Sequence, residues 1–232
     1  MNPLPLEYTG LDILQTLQEA TNYNRYLADL CEKGAGKTRT ALDFGAGIGT
    51  FSGLMRKRGF ALQCVEADAH LAELLRGNGF ETVPDLADLP DDSVDYIYTL
   101  NVFEHIEDDR AILRSLVAKL RPGGRLFIYV PAFGFLWTGL DDRVRHHRRY
   151  TRTTLRVLLA NEGLIVEQCR YADSLGYFAT LLFKMIDRRE GHLSSAAVRA
   201  YDRFAMPLSI TLDKIARRFV GKNVYALCRK TG

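Results

Sequence analysis

Apolar residues along this chain change their spacing from one segment to the next, and the changes mark its elements. Leu11, Leu14, Leu17, Tyr26, Leu27 and Leu30 recur at helical spacing within residues 11–33, and Gly34-Ala35-Gly36 ends that helix. Runs of β-branched and aromatic residues bounded by turn formers then predict strands at 40–44, 61–66, 81–84, 94–100, 125–131, 164–171 and 223–229. Helical patterns fall between them near 50–58, 69–77, 108–120 and 151–162, the third stopping at Arg121-Pro122-Gly123-Gly124. Strands alternating with helices imply an α/β fold with a parallel sheet covered on both faces. In such sheets ligands bind at the carboxyl ends of the strands, beside the point where strand order reverses. Residues 172–222 break the rhythm with two or more further helices.

Composition narrows the classes. The 232 residues are enough for one domain with an appended part, and 47% hydrophobic content is ordinary for a globular protein. A net charge of +3 is too mild to argue for nucleic acid. The four cysteines are too far apart for a zinc knuckle or a redox pair, so packed, reduced thiols are expected. The start, MNPLPLEYTG, has neither a basic region nor an apolar run. No export signal is therefore expected, and the expected location is cytoplasmic. No apolar run is long enough to span a bilayer.

Residues 41–49, ALDFGAGIG, carry the clearest chemistry. Gly45, Gly47 and Gly49 let the backbone turn sharply and approach a ligand, with a helix beginning near Thr50. The dinucleotide fingerprint Gly-x-Gly-x-x-Gly would need glycine at position 50, which favours adenosylmethionine over NAD. Glu66 ends the second strand, where a carboxylate can hold both hydroxyls of a ribose. Asp85 follows the third strand and can accept a bond from an adenine amino group while Leu86 packs on the ring; the competing reading is a capping aspartate. The fourth strand runs into Asn101, Val102, Phe103, Glu104 and His105, beside the amino-acid tail of such a ligand.

Taken in order, ALDFGAGIG, CVEAD, PDLADLP, NVFEHI and LRPGGRLFIYVP resemble the class I S-adenosylmethionine-dependent methyltransferases over about residues 38–171. The resemblance implies a Rossmann-like, doubly wound seven-stranded sheet with its last strand, 223–229, antiparallel. It also implies S-adenosylmethionine as cofactor, S-adenosylhomocysteine as product and no metal. Gly45, Ala46 and Gly47 would line the methionine part, Glu66 the ribose, Asp85 and Leu86 the adenine, and the Asn101 carbonyl the amino group. Asp43, Gly49, Ala67 and Val102 are counted with this site. Phe44 stands where relatives often have smaller aliphatics. Tyr23-Asn24-Arg25-Tyr26 resembles the stretch with which relatives cover the cofactor, so Tyr23 joins the site; a plain surface helix is the other reading. The expected organisation is a helical lid at 1–36, the cofactor-binding methyltransferase domain at 37–171 and 223–232, and a helical insertion at 172–222 between the sixth and seventh strands.

A second stretch, 130–159, holds Arg143, Arg145, Arg148, Arg149 and Arg152 within ten residues, with His146, His147 and Tyr150. Asp141, His146, Arg148, Arg149 and Tyr150 resemble an aspartate-x4-histidine-x-Arg-Arg-Tyr pattern in a subset of bacterial class I methyltransferases. Guanidinium groups bind carboxylate or phosphate bidentately, so Arg145, Arg148, Arg149 and Tyr150, with Trp137 and Phe133, are expected around a small anionic acceptor. Alternatively the arginines pair with Asp141, Asp142 and the acidic stretch Glu104–Asp109 and fasten the loop. His146 oriented by Asp141 is the first candidate base for O-methylation and His105 the second; an acceptor that is already an anion would need neither.

The insertion contains SLGYFATLLFKMI and the amphipathic ITLDKIARRF. It is read as a cap over the pocket or a homodimer contact, with peripheral contact to a membrane carrying a lipid-linked saccharide as the alternative. Two other readings remain: an NAD-dependent oxidoreductase, disfavoured by Thr50 and by the lack of a Tyr-x-x-x-Lys set, and a binding protein that retains the cofactor fold without catalysis.

Overall fold

Strand alternation sends Tyr96 and Tyr98 to one side of the sheet and Ile97 to the other, and the two sides bury separate cores. The computed structural model describes residues 10–186 and 194–232. In chain order the elements are α1 (Leu11–Gln18), α2 (Thr21–Ala35), β1 (Thr40–Phe44), α3 (Thr50–Lys57), β2 (Ala61–Val65), α4 (Ala69–Gly77), β3 (Glu81–Val83), β4 (Val94–Leu100), α5 (Asp109–Lys119) and β5 (Leu120–Pro131). There follow α6 (Gly139–Arg143), α7 (Arg152–Asn161), β6 (Leu164–Ala172), α8 (Ser174–Ile186), α9 (Ser195–Ala200), α10 (Met206–Ala216) and β7 (Asn223–Lys230). A π turn over Tyr201–Ala205 joins α9 to α10. Parts of the expected lid (residues 1–9) and insertion (residues 187–193) lie outside the described residues.

The sheet order is β3-β2-β1-β4-β5-β7-β6, parallel throughout except β7, which runs antiparallel to both neighbours. This is the predicted α/β sheet of seven strands with its last strand reversed. Strand order turns around between β1 and β4, so the mouth of the sheet opens above Phe44 and Leu100. On one face α5 and α7 bury Leu113, Leu116, Leu155 and Leu159 against Leu42, Ile97, Leu126 and Ile128. On the other, Leu27, Ala28 and Cys31 of α2 pack on Tyr96, Tyr98, Phe127 and Tyr129. Phe44 is taken into the first of these cores, and all four cysteines are buried and free.

Two boundaries differ from those read in the sequence. The helix expected over 11–33 is two, because Asn24 turns its amide back onto the carbonyls of Leu17 (2.9 Å) and Gln18 (3.3 Å) and satisfies the end of α1 there. The fifth strand begins at Leu120 rather than 125: fully buried Leu120 pairs with Val94, and Arg121 to Gly124 bulge out before pairing resumes between Arg125 and Tyr96.

Candidate active site

The loop after β1 is shaped by what surrounds it. Gly45, Gly47 and Gly49 all have positive φ. At Gly45 a Cβ would stand 2.4 Å from Cγ2 of Val102, so the turn can pass under the end of β4 only as glycine. The Gly47 N–H donates to Oε2 of Glu66 at 2.7 Å, and the Asp68 N–H donates to Oε1 at 3.0 Å. Burial pushes the Glu66 carboxyl above its ordinary range. Each oxygen keeps a further lone pair, so the strand-end carboxylate that holds the loop can also accept from a diol. A bare backbone cradle with a carboxylate at its rim fits the nucleoside and amino-acid portions of the expected cofactor.

The other residues expected here fall into two groups. Asp43 lies beneath the loop: it is buried, and its Oδ2 accepts from Ser52 (2.5 Å) and Tyr98 (2.8 Å). Burial raises its carboxyl to about 6 despite those bonds. Asp85 is exposed and caps the short turn Leu86–Asp88 through Ala87 (2.8 Å), while the Leu86 side chain is buried in the core. Ala46 packs under the loop, and Ala67 is exposed beside Glu66. Asn101 takes a left-handed conformation (φ 54°), donates its N–H to Tyr129 at 2.8 Å, and accepts from Asn223 at 3.4 Å.

The N-terminal helices cover this mouth. Cδ1 of Leu14 would be 3.5 Å from a Cβ on Gly47, and Gln18 donates to Thr50 at 3.2 Å. The Tyr23 hydroxyl meets that of Tyr129 at 3.4 Å, and burial pushes both phenols up. The insertion holds these helices in place. Asp202 accepts from the backbone N–H groups of Asn22 (3.0 Å) and Tyr23 (2.8 Å), while Asp213 accepts from Tyr26 (3.2 Å) and from the backbone of Asp173 and Ser174.

Beyond β5 the chain folds into a knot of polar bonds centred on Asp141, which is 1% exposed. Its carboxylate caps α6 through Thr138 (2.8 Å), takes a bidentate grip from Arg149 (2.7 and 2.8 Å) and accepts from Nδ1 of His146 (2.8 Å). Burial works to raise this acid, but the bonds from His146 and Arg149 and the guanidinium charge prevail and hold it well below the carboxylate range. With Nδ1 on Asp141, Nε2 of His146 faces Glu104, 4.0 Å from Oε1, and the ring sits edge-on to His105 at 4.5 Å. Trp137 lies edge-on at 6.4 Å.

Glu104 is the residue that sequence reasoning missed as a partner. It is 1% exposed, and neither carboxylate oxygen has a hydrogen-bond partner among the described residues. Burial raises its carboxyl to about 8, so at neutral pH it is mostly an uncharged acid. Burial, then the neighbouring His146, lowers His105 to about 4. Glu104, His105 and His146 each bring one ligand atom to within 4.8 Å of the others, a set that could take a metal ion although none was expected. The only sequence signal was the Glu-His pair directly after the fourth strand.

Most of the arginines are committed within the protein. Arg143 pairs with Asp12 (2.6 Å), Arg148 with Asp109 (2.9 Å), Arg149 with Asp141, and Arg152 donates to the Cys169 carbonyl (3.0 Å). Tyr150 is buried and donates to Asp109 at 2.7 Å. Arg145 is exposed and makes no such bond among the described residues. Phe133 stacks on Tyr171 at 4.7 Å, and Trp137 donates to Asp142 at 2.8 Å. The cluster chiefly fastens the loop to α5 and the sheet, which was the alternative reading of its charge.

Comparison with known proteins bears on the fold and the family. A ubiquinone biosynthesis O-methyltransferase of Xanthomonas oryzae pv. oryzae (strain PXO99A) is 31% identical over 97 residues, which are 38% of this chain and 41% of that protein. The chain thus spans about two-fifths of the length of that relative. Among solved structures, a SAM-dependent methyltransferase from Archaeoglobus fulgidus superposes with a TM-score of 0.58 at 16% identity, over 89% of this chain and 94% of the other. The Haemonchus contortus phosphoethanolamine N-methyltransferase 2, in complex with S-adenosyl-L-methionine, gives 0.59 at 16% identity, over 89% and 53%. At such identities these two likenesses are of fold. Residues 16–168, well over half of the chain, match the family described as a methyltransferase domain, and to that family the chain belongs.

Proposed function

We propose that this chain transfers a methyl group from S-adenosylmethionine to a hydroxyl oxygen, with His146 as the proton acceptor. The observation that carries this reading is the 2.8 Å bond from Nδ1 of His146 to buried Asp141, which leaves Nε2 as the basic atom beside the end of β4. Glu66 and the backbone of Gly45 to Gly47 would hold the cofactor, with Asp85 at its adenine end and Tyr23 over it. When bound, that cofactor supplies an electrophilic methyl group on a sulfonium, from which a neutral thioether, S-adenosylhomocysteine, would depart with the bonding pair.

The protein's part is to orient the acceptor and take its proton. Asp141 keeps one tautomer of His146 in place and stabilises the imidazolium that forms when Nε2 is protonated. Neutral Glu104 can donate toward the same space, and uncharged His105 adds no competing positive charge. The name of the Xanthomonas relative supports oxygen as the methylated atom. An anionic group on the acceptor would have Arg145 to meet it, since Arg143, Arg148, Arg149 and Arg152 are engaged.

Calorimetry with S-adenosylhomocysteine and with NAD, followed by product analysis on phenolic and saccharide acceptors, tests the reading. His146→Ala is expected to bind S-adenosylhomocysteine normally and to lose about 10²–10⁴ in kcat. Binding of NAD alone, methylation at nitrogen or carbon, or full activity in His146→Ala would overturn it.

A further inference from the structure

The insertion presents an apolar surface that no described residue covers. On α8, Phe178, Leu182 and Met185 point outward at spacings of four and three, Met185 with 84% exposure. Along α10, Leu208, Leu212 and Ile215 are exposed too, and at 100° per residue they fall within an arc of about 60°; Phe204 in the π turn before the helix and Phe219 just past its end are exposed as well. The buried face of the same helices is Thr180, Met206, Ser209 and Asp213, so the outward stripe is not a misplaced core. Soluble monomers seldom leave so much contiguous apolar surface without a partner for it.

Charge identifies that partner. Arg203, Lys214 and Arg218 are exposed along one flank of the α10 stripe, and Lys184 lies beside the stripe of α8. Every described carboxylate from Asp173 to Lys222 is turned inward: Asp173 bonds Ser209, Asp202 caps α2 and Asp213 caps α8. The outer surface of these helices is therefore apolar and cationic, with no described acid. A second copy placed face to face would bring arginine and lysine against their own kind, which an isologous contact cannot relieve. An anionic lipid surface accepts both features: the stripe enters the acyl boundary and the cations meet the headgroups.

We propose that the α8–α10 face is a peripheral docking surface for anionic membranes. The face adjoins the loop that carries His146. Lys184 donates to the Phe135 carbonyl at 2.7 Å, and exposed Phe178 meets Tyr177, which in turn meets Phe133 and Phe135. If the methyl-transfer reading holds, docking sets the mouth of the site at the bilayer, where an acceptor with an apolar tail would be presented.

Flotation of the full chain with vesicles tests docking without any activity assay. The chain is expected to float with phosphatidylcholine–phosphatidylglycerol vesicles at low salt and to stay behind with phosphatidylcholine alone. A variant carrying Phe178→Ser, Met185→Ser, Ile215→Ser and Phe219→Ser should partition roughly tenfold less, as should Lys214→Glu with Arg218→Glu. Unchanged melting and unchanged calorimetry with S-adenosylhomocysteine would show the fold and the cofactor site intact in each. Failure of the wild type to float, flotation unaffected by the serine changes, or a wild-type dimer that the serine changes split into monomers would overturn the proposal. None of those results bears on whether the chain binds the cofactor, so the two readings fail separately.

Discussion

Asp202 accepts the backbone N–H of Tyr23 at 2.8 Å across 179 residues of sequence, and so supplies the N-terminal cap that α2 lacks at its own N-cap position. The residue at the cap position is Ala20, whose side chain can accept nothing. Asp202→Ala is expected to cost about 1–2 kcal/mol in thermal unfolding and to speed amide exchange at Asn22 and Tyr23. It should also raise the KM for S-adenosylmethionine more than it lowers kcat, because the helices over the glycine loop lose their tie. Unchanged exchange at those two amides would show that the cap is dispensable.

Glu104 makes stability depend on pH. Its carboxyl is raised from 4.5 to about 8 by burial, so the folded protein binds this proton more tightly than the unfolded chain does. The contribution is complete below about 4.5, the ordinary value, and is lost as pH rises toward 8. Glu104→Gln does not titrate. Melting curves across pH 5–9 should therefore show the variant gaining on the wild type by on the order of 2–4 kcal/mol up to pH 8, and no further above it. Parallel curves would mean that Glu104 stays ionised in the fold.

Gly45→Ala places a methyl group 2.4 Å from Val102 and at a φ of 76°. Both the clash and the backbone conformation are unfavourable, for about 2–4 kcal/mol together. Adding Val102→Ala should recover the steric part alone. Calorimetry with S-adenosylhomocysteine is expected to show weakened binding in the single variant and partial recovery in the double.

Zinc should inhibit by capturing His146. The Nε2 atom proposed to take the proton lies 4.0 Å from Oε1 of Glu104, and His146, Glu104 and His105 each bring one ligand atom to within 4.8 Å of the others. Inhibition by added zinc is expected to reverse on chelation, and His105→Ala should require roughly tenfold more zinc for the same effect. Chelation alone should leave the rate unchanged; a fall in rate on chelation would assign the metal a part in the reaction.

Legibility from sequence followed the distance over which each feature is decided. Glu66 and the Gly45–Gly49 turn were readable because a strand end and a tight turn are local matters, and so was the order of strands and helices. The arginine segment was readable as charge but not as structure: whether Arg148 meets a substrate or Asp109 depends on a residue 39 positions earlier, beside it only after folding. Asp202 had no signal at all, since a cap supplied from another element leaves its own helix looking uncapped. Glu104 was visible as an acid beside His105, but its isolation from every described donor is a property of the packed interior.

β7 lies between two strands that both precede it in the chain. Until it inserts, β5 and β6 each present a bare row of N–H and C=O groups, and that half of the sheet cannot zip up in order of synthesis. The slot must wait, with α8–α10 already made, for the segment that fills it. Nascent molecules are thus most exposed to mispairing with one another just before Asn223–Lys230 threads into place.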